Sequence, residues 1–369
     1  MIQLLDLNYY YHKDIRQPEQ LLELHSSSIS FARYFQHKIK FIKHLNYNGS
    51  FCRNNIEYIF FKRKGFFCRI PFKTHRFIKS IKPDIILIEG HVFPIQVIFL
   101  RLTVSRKTKL LVQHHGESPF RGIKRLLQVL AGRCIDGFIF TAKENANLWI
   151  KANIISIRQP LYEILEGSSN FHKYIDNSDI KKNLGISGDL NFLWVGRLNY
   201  NKDPITVLKA FKSLLTFYPT AKLYMIYQDG TLLDEVKSVI SEEMELNVSL
   251  IGMVRHVELE KWYNATDFYI SGSHREGSGY ALIEAMSCGS IPVVTNIPSF
   301  KKITAEGSIG FLYEPGDSSS LTNIMCKACK ADKVQMSEKV IQHFRSHLSF
   351  EKIAADIEKI CGNFMPQQV

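Results

Sequence analysis

The sequence predicts an α/β protein of two doubly wound domains facing each other across a cleft. Three observations carry that prediction. Short β-rich runs alternate with helix-length amphipathic stretches along the whole chain, the pattern of parallel sheets covered on both faces. A seam near 160–187, "LYEILEGSSNFHKYIDNSDIKKNLGISGD", loses strand character and gathers Gly, Ser, Asn and Asp. The charge balance changes at the same place: residues 1–180 hold 27 Lys/Arg against 14 Asp/Glu, a net of +13, and residues 181–369 hold 20 against 21, a net of −1. The expected domains are 1–175 and 176–345, followed by a terminal helical segment, 346–369.

In the first half the strands read "IQLLDL", "KIKFIKHL", "IEYIFFK", "DIILIEG", "KLLVQHHG", "DGFIFTA" and "NIISIRQ". Amphipathic segments such as "PFRGIKRLLQVLAGR" lie between several of them. In the second half the strands read "NFLWVGRL", "AKLYMIYQ", "VSLIGMV", "DFYISGS", "SIPVVTN" and "GFLYEP". The helices between them are "PITVLKAFKSLLTFYP", "GTLLDEVKSVISEEM" and "GYALIEAMSCG". No repeat or low-complexity segment interrupts the rhythm.

The totals exclude several classes. With 369 residues, 45% of them hydrophobic and 22% charged, the chain has globular rather than disordered composition. The opening "MIQLLDLNYYYHKD" lacks the layout of a signal peptide. The longest apolar run, "IILIEGHVFPIQVIFL", is broken by Glu89, His91, Pro94 and Gln96, so no transmembrane helix is expected. Seven scattered cysteines fit a reducing cytosol. Cys326 and Cys329 form C-x-x-C within the helix-like "LTNIMCKACKAD", outside any redox βαβ pattern.

Basic character peaks in "FKRKGFFCRIPFKTHRFIKSIKP", where Lys62, Arg63, Lys64, Arg69, Lys73, Arg76, Lys79 and Lys82 are interleaved with phenylalanines and no acid. Such a stretch suits an anionic membrane surface. A solvated helix face with core phenylalanines is the plain alternative. No nucleic-acid recognition signature accompanies it.

In doubly wound sheets ligands sit beyond the carboxyl ends of the strands, and the polar motifs lie there. After "NFLWV" comes "GRLNYNKDP": Gly196 permits close backbone approach, and Arg197 and Lys202 are two cations ahead of a helix starting at Asp203-Pro204. Together they form an anion site suited to a diphosphate, unless the cations pair with local acids such as Asp203. After "DFYISGS" comes "SHREGSGYALIEAMSCGSIPVV". The glycines place a helix from about Gly279 to Ser287, with Gly289 as its stop. Glu276 then lies on the loop and Glu284 in the second turn. Carboxylates in such surroundings need a partner, from the protein or from a ligand. Helix amides at 278–280 flanked by acids suit a ligand with an anionic middle and hydroxyl-rich ends, as in a nucleotide sugar.

"VGRLNYNKDPITVLKAF", "SHREGSGYALIEAMSCGSIPVVT" and "GFLYEPGD" resemble the retaining glycosyltransferases of family 4, which have the GT-B fold. The resemblance spans 185–320; residues 1–180 share it more loosely, through "KPDIILIEG" and "KLLVQHHGE". It implies two Rossmann-like domains, a nucleotide-sugar donor (UDP- or GDP-linked) held by the second, no metal or other cofactor, and a last helix, "FEKIAADIEKICGNF", returning to the first domain. By the same resemblance Gly196, Arg197, Lys202, Ser278, Gly279 and Tyr280 hold the donor diphosphate. Glu284 takes the ribose, Glu276 contacts the transferred sugar, and His115 reaches over from the first domain towards the donor sugar. As a neutral ring, His115 can hydrogen-bond a sugar hydroxyl or share charge developing near the anomeric centre. Retention by front-face attack needs no protein nucleophile. The acceptor is expected to be a glycan or lipid-linked saccharide in cell-surface polysaccharide synthesis, with the enzyme cytoplasmic and peripheral at the inner face of the membrane. A lipid diphosphate carrier would account for the basic first half.

The chain departs from the family pattern in its first loop, which has no glycine from 1 to 48: either the loop binds the acceptor through side chains such as His12, Arg16 and His25, or the closed geometry differs. "YQDG" likewise retains only Gly230. Two rivals remain at this level. A hydrolase would use Glu276 and Glu284 as acid and base, but has no diphosphate for Arg197 and Lys202 to neutralise. A catalytically silent scaffold would have no need to keep the four charged residues together.

Overall fold

The structure is a computed structural model that describes residues 1–62, 70–228 and 230–364. It contains two compact units. The first comprises Met1–Ser168 and the segment from Phe350 onward; the second is Ser169–Ser349.

The first unit begins with strand β1 (Gln3–His12), helices α1 (Pro18–Leu24) and α2 (Ser26–Ile29), then strands β2 (Lys38–Leu45), β3 (Gly49–Arg53) and β4 (Ile56–Phe61). Helix α3 (Phe72–Ile81), β5 (Ile85–Glu89), α4 (Pro94–Thr103), β6 (Lys109–Gln113), α5 (Ile123–Gly132), β7 (Gly137–Phe140), α6 (Asn147–Lys151) and β8 (Leu161–Glu163) follow. The strands form one sheet in the order β3-β4-β2-β1-β5-β6-β7-β8, parallel except for β3. The all-apolar run Ile85–Ile88 is buried on both faces, as a central parallel strand requires. The antiparallel β3 was not read from the sequence. Asn54 and Asn55 both have positive φ (53° and 60°), which makes a two-residue hairpin turn.

The expected strand "NIISIRQ" is not one. Asn153 (φ 57°) stops α6 in the left-handed region, and the Ser156 N–H donates to the Gln159 side chain within a turn. Pairing with β7 begins only at Leu161. Ile154 and Ile155 are buried by packing rather than by a ladder.

The second unit opens with α7 (Ser178–Asn183), β9 (Asn191–Arg197), α8 (Pro204–Leu215), β10 (Lys222–Gln228), α9 (Leu233–Val239), β11 (Val248–Gly252) and α10 (His256–Ala265). It continues with β12 (Phe268–Ser271), α11 (Tyr280–Ser287), β13 (Ile291–Thr295), α12 (Pro298–Ile303), β14 (Phe311–Tyr313), α13 (Ser318–Cys329) and α14 (Lys333–His343). All six strands are parallel, in the order β11-β10-β9-β12-β13-β14, and each coincides with an expected one. Cys326 and Cys329 pack from α13 against the apolar core of this sheet, a structural place rather than a redox one.

Residues 169–175, expected with the first domain, pack on the second. The Phe171 ring lies 5.1 Å from that of His256, and the Tyr174 N–H donates to Asn264 at 2.8 Å. At the other end α15 (Phe350–Phe364) belongs to the first unit. There Phe364 meets the ring of Tyr162 at 6.2 Å, and Glu358 accepts from the Gln36 N–H. Among the described residues no helix is long and apolar enough to cross a membrane.

Each sheet has one point where strand order reverses direction, between β1 and β5 and between β9 and β12. The crevice beyond the carboxyl ends of the strands at such a point is where doubly wound sheets place ligands.

Candidate active site

At the β9/β12 switch point two loops interlock. The β9–α8 turn is closed by the Lys202 N–H donating to Asn199 Oδ1 at 3.0 Å. Asp203, in the left-handed region (φ 41°), caps α8 by accepting from the Thr206 N–H at 3.1 Å. Its second oxygen lies 3.0 Å from His274 Nε2 on the neighbouring loop. Asn201 Nδ2 donates to the Arg275 carbonyl and the His274 N–H to the Asn201 carbonyl. Gly272 lies under this crossing, where a Cβ would come within 2.6 Å of the Asp203 carbonyl oxygen.

Asp203 is therefore occupied by a cap and a histidine, and the local acid that Lys202 does meet is Glu276, bonded to its Nζ. Arg197 is exposed at the end of β9. Gly196 sits over Trp194, whose ring would lie 3.1 Å from a Cβ there.

The loop bearing Glu276 is pinned by Ser299, whose hydroxyl donates to the Glu276 carbonyl at 2.6 Å. It ends at Gly279 (φ 66°), the N-cap of α11, where a Cβ would crowd Phe300 at 3.0 Å. Ser278 is buried beside it, and Tyr280 opens the helix. Glu284, one turn on, is nearly buried. His256 Nε2 lies 2.6 Å from its Oε1, and the Tyr263 hydroxyl donates to its Oε2 at 3.3 Å. The hydrogen bond to Glu284 raises the pKa of His256, against a smaller opposing effect of burial. Lys202 is thus the protein partner of Glu276, and His256 with Tyr263 are those of Glu284. His256 was not singled out from the sequence.

At the β1/β5 switch point of the first unit, His115 lies between two carboxylates. Nδ1 is bonded to Glu166 Oε1, and Glu89 Oε2 is 2.6 Å from Nε2 in ion-pair contact. A neutral imidazole has one acceptor nitrogen, which a carboxylate cannot face favourably. Burial alone would lower the pKa of His115, but Glu166 and Glu89 outweigh it and raise it well above the ordinary range. The expected neutral ring is corrected to an imidazolium. His114 differs: its Nε2–H donates to the Glu117 carbonyl at 2.9 Å, and burial lowers its pKa. Glu117 fixes the turn by accepting the N–H groups of His91 (3.1 Å) and His115 (2.7 Å).

Behind Glu89 stand Asp6 and Lys43, wholly buried mid-strand with Nζ 3.5 Å from Oδ1. Burial, then the charge of Glu89, raises the Asp6 carboxyl well above its usual range. Burial would raise Glu89 too, but His115 and Lys43 hold it low. His25 faces the same group; burial and then Lys43 lower its pKa to about 3, so it offers no positive charge to a ligand. Its ring meets that of His12 edge-on at 5.1 Å. Arg16, Lys62 and Lys73 are exposed at the surface. Arg63, Lys64 and Arg69 lie outside the described residues. Asp6, Lys43, Glu89 and Glu166 were missed as site residues because only the pairing of β1 with β2 and β5, and the loop after β8, bring them together.

The fold neighbours are consistent along the whole chain. HepE of Anabaena, solved in complex with UDP, superposes with a TM-score of 0.76 at 17% identity over 98% of this chain and 100% of its own. Sucrose-phosphate synthase of Thermosynechococcus elongatus gives 0.69 at 15% identity over 98% of each. The two parallel-sheet domains are those of the GT-B fold. Residues 176–346, a little under half of the chain, match the family described as Glycosyl transferases group 1.

Among curated relatives, an alpha-monoglucosyldiacylglycerol synthase of Streptococcus pneumoniae is 29% identical over 138 residues, 37% of this chain and 31% of the relative. An Escherichia coli UDP-Gal:alpha-D-GlcNAc-diphosphoundecaprenol alpha-1,3-galactosyltransferase is 25% identical over 219 residues, 58% and 56%. The matches thus span between about a third and a little over half of those relatives' lengths.

Proposed function

We propose that the protein is a retaining, metal-independent glycosyltransferase that moves a sugar from a nucleotide-sugar donor to a lipid-linked or glycan acceptor. The observation that carries this reading is the set at the β9/β12 switch point: Arg197 and Lys202 at one strand end, and Glu276, Gly279 and Glu284 at the next. A departing nucleoside diphosphate builds negative charge on its leaving oxygen. Fixed cations and the N-terminus of α11 stabilise that charge, which leaves no necessary place for a metal. Lys202 and Glu276 are held as a pair: the lysine serves the diphosphate, and the carboxylate is released to accept sugar hydroxyls. Glu284, on exchanging His256 for ribose hydroxyls, orients the nucleoside. His115, held as an imidazolium between Glu89 and Glu166, stands in a charge-compensated cluster at the edge of the first sheet.

The printed names of relatives support a lipid-linked acceptor, since one is a synthase of alpha-monoglucosyldiacylglycerol and another a galactosyltransferase to a diphosphoundecaprenol-linked sugar. HepE, solved with UDP and with UDP-glucose, supports a uridine nucleotide as the first donor to test. The enzyme would then work at the inner face of the membrane, with Lys62 to Lys79 near anionic lipid. Thermal shift and titration calorimetry against UDP-, GDP- and ADP-sugars test the reading. Saturable binding of one of them is expected; no binding of any would favour the silent scaffold.

A further inference from the structure

Helix α5 is built inside out. Its buried positions are Gln128, Ala131 and Gly132, with Gln128 donating to the His91 carbonyl at 2.9 Å and accepting from the Phe120 N–H at 2.7 Å. Its solvent side carries Ile123, Leu126 and Leu130, which are 78%, 62% and 49% exposed. Their i, i+3, i+7 spacing makes one continuous aliphatic stripe. A helix of a globular domain normally turns that stripe inward, and a contiguous exposed one marks an interaction surface.

The stripe is not isolated. Helix α4 packs between α5 and α3. Leu102 on α4 is 77% exposed, and Phe72 on α3 is 63% exposed with its ring 6.1 Å from that of Phe99. The charge around these residues is predominantly positive. Residues 70–135 hold 12 Lys/Arg and three Asp/Glu, and the fold occupies all three acids. Asp84 accepts the Gln3 N–H, Glu89 meets His115, and Glu117 holds the loop amides. Lys73, Lys124 and Arg125 are exposed along the same helices.

We propose that the outer face of α3, α4 and α5 docks on an anionic lipid bilayer, with Ile123, Leu126 and Leu130 as the apolar anchor. Aliphatic side chains flanked by Lys and Arg are the requirement of an interfacial helix, whose apolar side enters the acyl boundary while the cations meet lipid phosphates. A second copy of this chain fits less well, because its own predominantly basic face would bring like charge against like. The placement extends the lipid-linked acceptor reading. All three helices run antiparallel to the strands they cover, so their N-termini lie at the sheet edge that carries His115, and the His115 loop leads directly into α5.

Co-sedimentation of the full chain with phosphatidylcholine vesicles, with and without phosphatidylglycerol, tests the proposal. Binding is expected only to the anionic vesicles and should weaken with added salt. Leu126→Glu and Leu130→Glu should each reduce partitioning about tenfold. Lys124→Glu with Arg125→Glu should reduce it similarly and flatten the salt dependence. Unaltered circular dichroism and melting would show that the variants fold. Unchanged vesicle binding by both leucine variants would overturn the proposal. So would a dimer in sedimentation velocity that Leu126→Glu converts to monomer. Nucleotide-sugar titration of the same variants separates the two readings: failure to bind donor removes the transferase, and loss of vesicle binding with donor binding intact confirms the surface.

Discussion

His256 closes on Glu284. The exposed imidazole of the residue that opens α10 meets a carboxylate on α11 at 2.6 Å, over a Tyr263 hydroxyl that takes the second oxygen. A ribose approaching Glu284 exchanges one hydrogen-bond donor for another, so the carboxylate stays satisfied throughout the exchange.

Glu284→Gln should therefore lose most donor affinity and activity, by about 10- to 100-fold for a hydrogen bond to a charged group, with an unchanged fold. Calorimetry with the bound nucleotide sugar and far-UV circular dichroism check it. Near-normal turnover would sink the ribose assignment.

The same contact titrates. His256 has its pKa raised in the folded protein, so its stabilisation is fully present below the ordinary histidine value near 6.5 and is lost as pH rises through the raised value. Ring-proton NMR should show the raised midpoint, and Glu284→Gln should bring it down. An identical midpoint in both proteins would rule out the pair.

Lys202→Met should weaken a nucleoside diphosphate about tenfold or more and leave the matching free nucleoside almost unaffected. Equal losses for both ligands would place Lys202 away from the diphosphate.

Glu166→Gln removes one of the two carboxylates that hold His115. The pKa of His115 is raised, so its contribution persists below the ordinary histidine value and disappears as pH rises through the folded one. In the variant the melting temperature should begin to fall at a lower pH than in the parent. Parallel curves for the two proteins would show that Glu166 does not hold the proton.

Gly279→Ala forces a Cβ into the left-handed region against Phe300, and should cost about 1–2 kcal/mol in urea unfolding. An unchanged midpoint would mean that the α11 cap relaxes.

What the sequence determined by itself is local. The strands of the second unit, the start of α11 at Gly279 and the start of α8 at Asp203-Pro204 follow from apolar runs and from glycine and proline chemistry that act within a few residues. Glu276 and Glu284 declared themselves because acids are conspicuous among small and apolar neighbours. "NIISIRQ" failed because β-propensity does not say whether a neighbouring strand is in register to accept it. Only tertiary structure decided which acid each cation meets. Lys202 passes over adjacent Asp203 for Glu276, 74 positions on, because Asp203 is already used to cap α8. His115 becomes an imidazolium because β5 and the loop after β8 deliver Glu89 and Glu166 to its two nitrogens. The aliphatic stripe of α5 could be counted in the sequence, but its outward direction could not. Buried Gln128, tied to His91 and Phe120, fixes that direction. Periodicity fixes what shares a face; long-range contacts alone determine what that face meets.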